Sequence, residues 1–453
     1  MKPLFSHKKS TGLFQKFDGM YKGESLSFQA HAQICVRRNG MLGESLEGLK
    51  VLDFSHVLAG PVASMTLADL GAHIVKVEPI EGEIGRHIGP PWINGQSPTF
   101  MSVNRNKHSL AVDLKSREGR EAIHRMALGA DVVIENFRPG VMEKLGLGYG
   151  SLAQKNPRLV YCSISAFGQK GPLSSRPGVD GIIQAVSGLM STLGQHSSPP
   201  AKVPVPIADM LTGYLAAIAV LGALHRVRIG RGGQHLDVSL YNATVMLQQV
   251  SFAAYFASGK EPEKSGSAAP YACPNEAYPT RDGWMMVVAY HQSRWETLCN
   301  LLDFASLASD DRFSTNDSRV ANREVLHQIL SEKFLTRDTS EWLELLSSQD
   351  VICAPVLSYD QVMTSPEYSS SGLTCVVDHP VAGRMRTHRF ALEATDGSED
   401  PPMPAPVVGQ HTSEALSLYG MTDDEIEKLI RCGVVRDASV NVATLNENQT
   451  EYP

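Results

Sequence analysis

The sequence lacks the local motifs of a structural metal site. Its seven cysteines are scattered and odd in number, no two are spaced as CxxC, and the 15 histidines form no HExxH motif or paired Cys/His cluster. Zinc-binding proteins usually carry thiolate and imidazole ligands at short, fixed spacings. We therefore predict reduced thiols in an intracellular compartment and no bound metal.

The chain also lacks an excess of positive charge. Lysine and arginine total 41 against 48 aspartate and glutamate residues, which gives a formal net charge of −7. A general nucleic-acid-binding surface is basic, so this balance argues against that function. An anionic ligand must instead be held by a local cluster of cations.

Long hydrophobic runs are missing as well. The longest apolar stretch without charge, Met210 to Leu224, has 15 residues, whereas about 20 are needed to cross a bilayer. We interpret it as a buried helix and predict no membrane partner. Aromatic residues make up only 7% of the chain, but an apolar content of 42% is ample for a core. At about 100–200 residues per domain, 453 residues predict two or three domains.

Residues 1–45 differ in composition from the rest. Up to position 40 this segment has seven basic residues against Asp18 and Glu24, and it contains several serines. An acid-poor, basic, serine-containing leader is typical of an organellar transit peptide, and a plain disordered extension is the alternative. We expect a mitochondrial location if the leader is an import signal, and a cytoplasmic one otherwise.

From residue 46 onward, strand and helix patterns alternate. Predicted strands cover 50–54, 73–78, 109–112, 131–134, 159–163 and 234–240, and predicted helices cover 61–70, 205–228 and 242–257. Strand-helix-strand units at this spacing indicate right-handed crossovers and a parallel sheet. The first helix is expected to be amphipathic, with Pro61 in its first turn and Gly71 after its end. No GxGxxG follows the first strand, which argues against an ordinary dinucleotide site.

The second half of the chain predicts a smaller α+β unit. Residues 258–275 are polar and interrupted by Gly and Pro, which is typical of a linker. A hairpin turning at Asp282-Gly283 and three helices follow, and Thr422 is expected to cap a last helix with Glu425. The predicted division is a leader (1–45), the first part of a large domain (46–257), a linker (258–275), a small domain (276–375), and a return linker with the rest of the large domain (376–453).

Asp209 is the first candidate for chemistry. It stands where a proline-rich segment enters a long apolar helix, so free backbone N–H groups and the helix dipole are expected to keep its carboxylate ionised. An ionised carboxylate in a dry cleft is a competent nucleophile toward an activated acyl group. The alternative is a simple helix N-cap, and the local pattern alone favours that alternative.

Several motifs in order resemble the class III coenzyme A transferases, a family that includes acyl-CoA racemases. The matching segments are LEGLKVLDFSHVLAGP (46–61), ADLGAHIVKVE (68–78), NRNK (104–107), DVVIENFRPG (131–140), GRGGQHLDVSL (230–240), VGQH (408–411) and GVV (433–435). This resemblance implies a Rossmann-like parallel-sheet large domain, a smaller α+β domain and an interlocked homodimer. It also implies that a CoA thioester is bound as a substrate and that no cofactor is tightly bound.

The resemblance assigns roles to individual residues. It makes Asp209 the nucleophile that forms aspartyl intermediates. It places CoA-binding positions in the loop after the first strand, on an apolar wall with a cation, and on an adenine and phosphate side. These positions are Leu58, Ala59, Val112, Lys115, Asn136, Phe137, Arg138 and Lys144. Arg105, Lys107 and Lys115 are expected to supply the local positive patch.

Val179 separates the two chemistries of the family. The racemases carry a histidine 30 residues before the aspartate, and valine cannot move a proton. Transferases commonly carry tyrosine there, so the acyl pocket is altered in either case. Asp180 is a second carboxylate candidate, with a turn-forming role as the favoured alternative. A racemase or a non-catalytic CoA-binding protein therefore remains a competing interpretation.

The segments SAF (165–167) and GQKGP (168–172) are similar to those of eukaryotic succinyl-CoA:dicarboxylate CoA-transferases. That similarity favours succinyl-CoA as the donor and a C5 dicarboxylic acid such as glutarate or itaconate as the acceptor.

Overall fold

The computed structural model describes residues 44–392 and 401–438, so the predicted leader lies almost entirely outside the described residues. Strands in this part of the chain are β1 Lys50–Asp53, β2 His73–Glu78, β3 Lys107–Val112, β4 Val132–Glu135, β5 Val160–Ser165, β6 Gln234–Ser239, β7 Asn275–Pro279, β8 Trp284–Val288, β9 Ile352–Pro355, β10 Thr374–His379, β11 Gly383–His388 and β12 Val435–Arg436.

Helices connect most of these strands. They are α1 Ala59–Asp69, α2 Pro98–Ser102, α3 Arg117–Leu128, α4 Val141–Lys144, α5 Tyr149–Ala153, α6 Asp180–Val186, α7 Leu189–Thr192, α8 Ile207–Arg228, α9 Leu240–Leu247, α10 Gln249–Ser258, α11 Gln292–Leu301, α12 Asn316–Ala321, α13 Arg323–Phe334, α14 Thr339–Ser347, α15 Tyr359–Thr364, α16 Pro366–Ser370, α17 Thr412–Leu418 and α18 Asp423–Arg431. Two 3₁₀ turns, Ile84–His87 and Ala305–Ser309, complete the set.

The largest sheet has seven strands in the order β12-β3-β2-β1-β4-β5-β6. Strands β1 to β6 are parallel to their neighbours, and β12 pairs antiparallel with β3 at one edge. Adjacent residues of β1 point to opposite faces, since Val51 and Leu52 belong to different hydrophobic clusters. Helices α3, α17 and α18 contribute to one cluster, and α1 and α8 contribute to the other. The mixed α/β prediction with a large parallel sheet is confirmed.

The prediction that the first helix is amphipathic is wrong. All eleven residues of α1 are buried, because α1 packs closely against α8 as well as against the strands of the large sheet. A helix covered on all sides needs no polar face. The end of α1 is as predicted, with Gly71 in the left-handed region at φ 98°.

Helix α8 is the longest described helix, with 22 residues. Its most apolar window has a mean hydropathy of 1.8, so α8 is long and apolar enough to span a membrane by length and composition. It packs against α1, β5 and β6, and Ala216, Ala217 and Val220 are buried in a core cluster. We therefore interpret α8 as a core helix of the large sheet.

A second core lies around the three-stranded antiparallel sheet β7-β8-β9. The side chains of Trp295, Phe334 and Trp342, from α11, α13 and α14, are fully buried there. The hairpin predicted around Asp282-Gly283 is confirmed by the pairing of β7 with β8. Strands β10 and β11 form a separate hairpin.

The tail returns to the large sheet, where β12 pairs with β3 and α17 contacts β3. The predicted capping box of the last helix is confirmed at Thr422 and Glu425. The single helix predicted over 242–257 is instead α9 and α10, because the chain leaves helical geometry at Gln248. The domain boundaries themselves stay predictions.

Candidate active site

Asp209 lies in the first turn of α8, which begins after Val203–Pro206 at the end of the proline-rich segment. The N-cap position is Pro206, so the simple N-cap interpretation of Asp209 is wrong. Asp209 is the third helical residue, and its side chain is half-buried. The Asp209 carboxylate therefore does not act as the N-cap of α8.

Asp180 fixes the start of this helix. Its Oδ1 accepts a 2.8 Å hydrogen bond from the backbone N–H of Ala208, and its Oδ2 accepts a 2.6 Å bond from the Gln184 amide. Gln184 is fully buried and exchanges hydrogen bonds with both backbone groups of Val203. Asp180 therefore does more than form a turn. Its carboxylate accepts a hydrogen bond from a backbone N–H group that α8 leaves without a partner within the helix.

The electrostatics of Asp209 also differ from expectation. Burial and the neighbouring charge of Asp180 raise the pKa of Asp209 to about 7. The expectation that the helix dipole keeps this carboxylate fully ionised is therefore wrong near neutral pH. A carboxylate that is poorly solvated and near its pKa is a stronger nucleophile than an ordinary surface aspartate.

A buried ion pair underlies the loop that follows β1. The Lys107 ammonium lies 3.2 Å from the Asp53 carboxylate, and both side chains are fully buried. Burial alone raises the pKa of Asp53, but Lys107, Lys76 and two serine hydroxyls outweigh it and lower the pKa to about 2. Burial lowers the pKa of Lys107 to about 7 against the opposing effect of Asp53.

Side chains hold several backbone polar groups of the loop at residues 55–57. The side-chain amide of Asn136 accepts from the His56 N–H and donates to the His56 carbonyl, both at 2.8 Å. The Lys76 ammonium donates to the Ser55 carbonyl at 2.7 Å, and the Glu83 carboxylate accepts from the Val57 N–H at 3.2 Å. The geometry of residues 55–57 is therefore set by side chains from outside the loop.

Val57 occupies the left-handed region, with φ 68°. A β-branched residue in this region costs on the order of 1–3 kcal/mol and persists only where its surroundings hold it. The next two residues are Leu58, at the N-cap of α1, and Ala59, its first helical residue. The conformation of Val57 thus determines the direction in which α1 begins.

The structure brings several predicted CoA-binding residues to this edge of the sheet. Leu58 and Ala59 follow β1, and Asn136 and Phe137 follow the adjacent strand β4. The Phe137 ring contacts the His56 imidazole edge-on, with centroids 5.0 Å apart. The Asn136 amide is engaged by the loop, so its role there is to hold His56.

Three predicted cations are exposed and available to an anion. They are Lys115 before α3, Arg138 after β4, and Lys144 at the end of α4. Exposed lysine and arginine side chains are suited to bind phosphate groups, with lysine acting as a point charge.

Other predicted contacts are contradicted. Arg105 is buried and ion-paired with Asp69, donating from Nε at 3.0 Å, and Lys107 is paired with Asp53. Neither belongs to an exposed positive patch. Val112 is buried in the core where β3 pairs with β12, so it offers no wall to a ligand.

Val179 precedes α6 and is 67% exposed. Its neighbour Asp180 turns inward to the start of α8, so the two residues face different surroundings. The position that carries the second proton carrier in racemases therefore holds a solvent-facing valine in this chain.

Glu135 is a buried acid that the sequence analysis missed. It ends β4, and its carboxylate accepts a 2.9 Å hydrogen bond from the Phe137 N–H. Burial raises its pKa to about 7. The sequence offered only a weak signal, a glutamate closing an otherwise apolar strand next to a polar loop.

One group in the described part of the chain brings donor atoms within reach of a metal ion, although the sequence has no local metal motif. His73, His108 and Glu414 come together from β2, β3 and α17, with donor atoms within 4.8 Å of one another. The two imidazoles are stacked, with centroids 4.4 Å apart and planes 17° apart. The in-plane lone pairs of stacked rings do not converge on one point, so we assign this cluster no metal-binding role.

Comparison with known proteins agrees with this geometry. The family model "CoA-transferase family III" matches residues 46–412. A human succinyl-CoA:glutarate CoA-transferase is 36% identical over 393 residues, covering 86% of this chain and 90% of the human protein. A succinyl-CoA:mesaconate CoA-transferase from Haloarcula hispanica is 35% identical over 388 residues, covering 83% of this chain and 97% of that protein.

Solved structures agree as well. The crystal structure of a CaiB/BaiF family protein from Brucella suis is 34% identical to this chain with a TM-score of 0.74, covering 84% of this chain and 100% of the other. Rv3272 from Mycobacterium tuberculosis is 31% identical with a TM-score of 0.72, covering 82% of this chain and 98% of the other. The motifs, the parallel sheet and the aspartate at the head of α8 thus agree with the family match, and the chain belongs to CoA-transferase family III, as an enzyme of that class.

Proposed function

We propose that this enzyme transfers CoA from succinyl-CoA to a C5 dicarboxylic acid, such as glutarate or itaconate, through Asp209. The observation that carries the proposal is a half-buried carboxylate at the head of α8, positioned beside Asp180 and with a raised pKa. The substrate class is supported by the relatives, which are named for succinyl-CoA with glutarate or mesaconate.

The proposed reaction proceeds through three aspartyl intermediates, two mixed anhydrides and one aspartyl-CoA thioester. The Asp209 carboxylate attacks the thioester carbonyl of succinyl-CoA, which gives a mixed anhydride and CoA thiolate. The thiolate attacks the aspartyl carbonyl, which releases succinate and leaves an aspartyl-CoA thioester. The acceptor carboxylate then attacks this thioester, which forms a second mixed anhydride and again releases CoA thiolate. The thiolate finally attacks the acceptor carbonyl, which gives the new CoA ester and restores Asp209.

This sequence of steps exchanges one thioester for another, so it needs no ATP or net redox change. CoA enters as a substrate, and no tightly bound cofactor is invoked. The exposed Lys115, Arg138 and Lys144 supply positive charge for its phosphates, while the α1 start at Leu58 and Ala59 receives the ligand at the sheet edge. Asp180 holds the backbone of Ala208 and thereby the direction of the nucleophile.

A panel of free acids mixed with succinyl-CoA tests the substrate class. Mass spectrometry of the products should detect glutaryl-CoA or itaconyl-CoA, with C5 dicarboxylates preferred over monocarboxylates. Replacing Asp209 by Ala should abolish the exchange, because the nucleophile is lost. Exchange that survives D209A would remove Asp209 from the mechanism.

The competing racemase interpretation gives a different result in deuterium oxide. A racemase exchanges the α-proton of a 2-methylacyl-CoA without any acceptor acid, whereas the transferase requires a free carboxylate. Because Val179 cannot carry a proton, we expect no such exchange. Deuterium incorporation without an acceptor would favour the racemase.

We also infer that the enzyme is a homodimer. Helix α10 has no buried residue, and apolar side chains on α8, α9 and α10 are exposed, among them Ile218, Met246, Val250 and Phe256. An apolar face shared by three helices is the kind of surface that a second copy covers. The interlocked form of this dimer follows from the family resemblance alone.

Import into mitochondria is a further proposal. Its support is the basic, acid-poor composition of residues 1–45. Fusing this segment to a fluorescent protein should direct the fusion to mitochondria, and a diffuse cytoplasmic signal would contradict the proposal.

A further inference from the structure

The turn between β1 and α1 combines backbone strain with a dedicated set of buried contacts. Val57 has φ 68°, a conformation that a β-branched residue rarely adopts without support. The turn ends at Leu58 and Ala59, which open α1 at the sheet edge.

Glu83 and Lys76 hold this turn through hydrogen bonds to its backbone. The Glu83 carboxylate accepts the N–H groups of Val57 at 3.2 Å and Gly85 at 2.6 Å. The Lys76 ammonium lies 3.5 Å from the other Glu83 oxygen and donates to the Ser55 carbonyl at 2.7 Å. Both side chains are fully buried.

This support is tied to the sheet. The Glu83 backbone N–H donates to Glu78 of β2 at 3.1 Å, and Glu78 forms a two-point ion pair with Arg86. Glu83 therefore cannot drift away from the turn without breaking contacts to β2. Glu83 and Lys76 are thus fixed relative to β2, and they hold Val57 in its conformation.

We propose that Glu83 is a positioning residue for the recognition of the CoA ester. It acts through Val57: by holding that residue in the left-handed region, it keeps Leu58 and Ala59 in the arrangement that receives the CoA moiety. This inference rests on the proposed function, since Leu58 and Ala59 are the CoA-binding positions of that proposal.

Loss of this support has a defined kinetic signature. Without the acceptor, Val57 relaxes to negative φ, and only a fraction of molecules keeps the competent turn. If that fraction falls to a tenth, the affinity for CoA falls about tenfold. A saturating CoA ester restores the turn, so kcat changes less than about twofold while KM rises about tenfold.

Glu83→Gln is the direct test, because it keeps the size of the side chain. A glutamine has one oxygen, so it cannot accept from the Val57 N–H and also face the Lys76 ammonium without placing its NH₂ against one of them. The dissociation constant for CoA is measured by calorimetry and the KM for succinyl-CoA by steady-state kinetics. The matched control is Glu81→Gln, an exposed glutamate two positions earlier, which should bind CoA like the wild type.

Variants at Val57 separate positioning from general stability. Glycine adopts positive φ without a steric penalty, so E83Q should weaken CoA binding much less in a V57G background. Proline cannot adopt φ 68° and has no N–H for Glu83 to accept, so V57P should weaken CoA binding about tenfold or more while both the Glu83 and Lys76 side chains remain present. V57P therefore tests the inference even if E83Q fails to fold.

The outcomes are distinct. Raised KM with nearly unchanged kcat in E83Q, rescued in the V57G background, supports the inference. Wild-type CoA affinity in V57P overturns it. Absence of CoA binding in the wild-type enzyme would instead overturn the proposed function.

Discussion

At the scale of single residues, the pair Asp180 and Asp209 determines how the site responds to pH. Asp180 is bound by the Ala208 N–H and the Gln184 amide, whereas Asp209 is half-buried in the first turn of α8. Burial and, after it, the charge of Asp180 raise the pKa of Asp209. Asp180 therefore holds the start of α8, and Asp209 stays the nucleophile of the proposed mechanism.

The first prediction concerns the pH dependence of kcat/KM. The pKa of Asp209 is raised to about 7, and only its ionised form attacks the thioester, so kcat/KM should fall as the pH drops below about 7. In Asp180→Asn the neighbouring charge is gone while an amide oxygen still accepts from Ala208. The acidic limb should then move to lower pH, while burial still keeps it above that of an ordinary aspartate. Profiles measured from pH 5 to 9 check this, and an unmoved limb in the variant would contradict the assignment.

Some parts of the site could be predicted from the sequence, but the ion pairs of its charged residues could not. Asp209 and the loop at Leu58 and Ala59 could be located from motifs, because these positions lie in contiguous segments. The pairing of Arg105 with Asp69 could not, because those partners are 36 positions apart and meet only when α1 packs on the sheet. A basic residue identified in the sequence can bind a ligand only if it does not form an ion pair with a buried acidic residue in the folded protein.

At the scale of elements, the close contact between α1 and α8 brings the part of α8 that carries Asp209 against the start of α1. Gly213, one turn after Asp209, allows this contact, because a Cβ there would lie 2.6 Å from the Val62 Cβ and 2.7 Å from the Ala59 carbonyl oxygen. The same contact explains why the periodicity of α1 misled the prediction. Helix α1 is also covered by α8, an element more than 130 positions later in the chain.

The second prediction is a matched pair of glycine substitutions in α8. Gly213→Ala should lower the free energy of unfolding by about 1–3 kcal/mol, because the two helices must move apart. It should also reduce activity, since Asp209 moves with the helix. Gly222→Ala should be neutral or stabilising by up to about 1 kcal/mol, since a Cβ there meets nothing within 4 Å. Urea unfolding of both variants provides the comparison, and equal effects would contradict the proposed contact.

At the scale of the whole molecule, the acidic chain and its phosphorylated substrate are compatible because the required cations are local. A net charge of −7 coexists with the exposed cations Lys115, Arg138 and Lys144, which follow strands β3 and β4 along the chain. The other large-scale feature is the exposed apolar face of α8, α9 and α10, which a periodicity analysis of single helices could not predict.

The third prediction addresses that face. Val250 is 63% exposed and Phe256 is 77% exposed, so V250E and F256E should place charge inside a dimer contact and yield monomers. Light scattering measures the mass of each form. Leu335→Glu, an exposed apolar residue outside these three helices, is the control and should keep the mass of the wild type. A monomeric wild-type enzyme would contradict the proposed assembly.

The central claim is that Asp209 exchanges an oxygen with its carboxylic acid substrates, and one isotope measurement tests it most directly. Succinyl-CoA is incubated with succinate labelled with oxygen-18, so that the exchange is degenerate and needs no knowledge of the natural acceptor. Because the acceptor carboxylate passes through an anhydride with Asp209, each turnover should leave one labelled oxygen in that side chain. Peptide mass spectrometry is predicted to find the label at Asp209. Rapid CoA exchange that leaves Asp209 unlabelled would contradict the account.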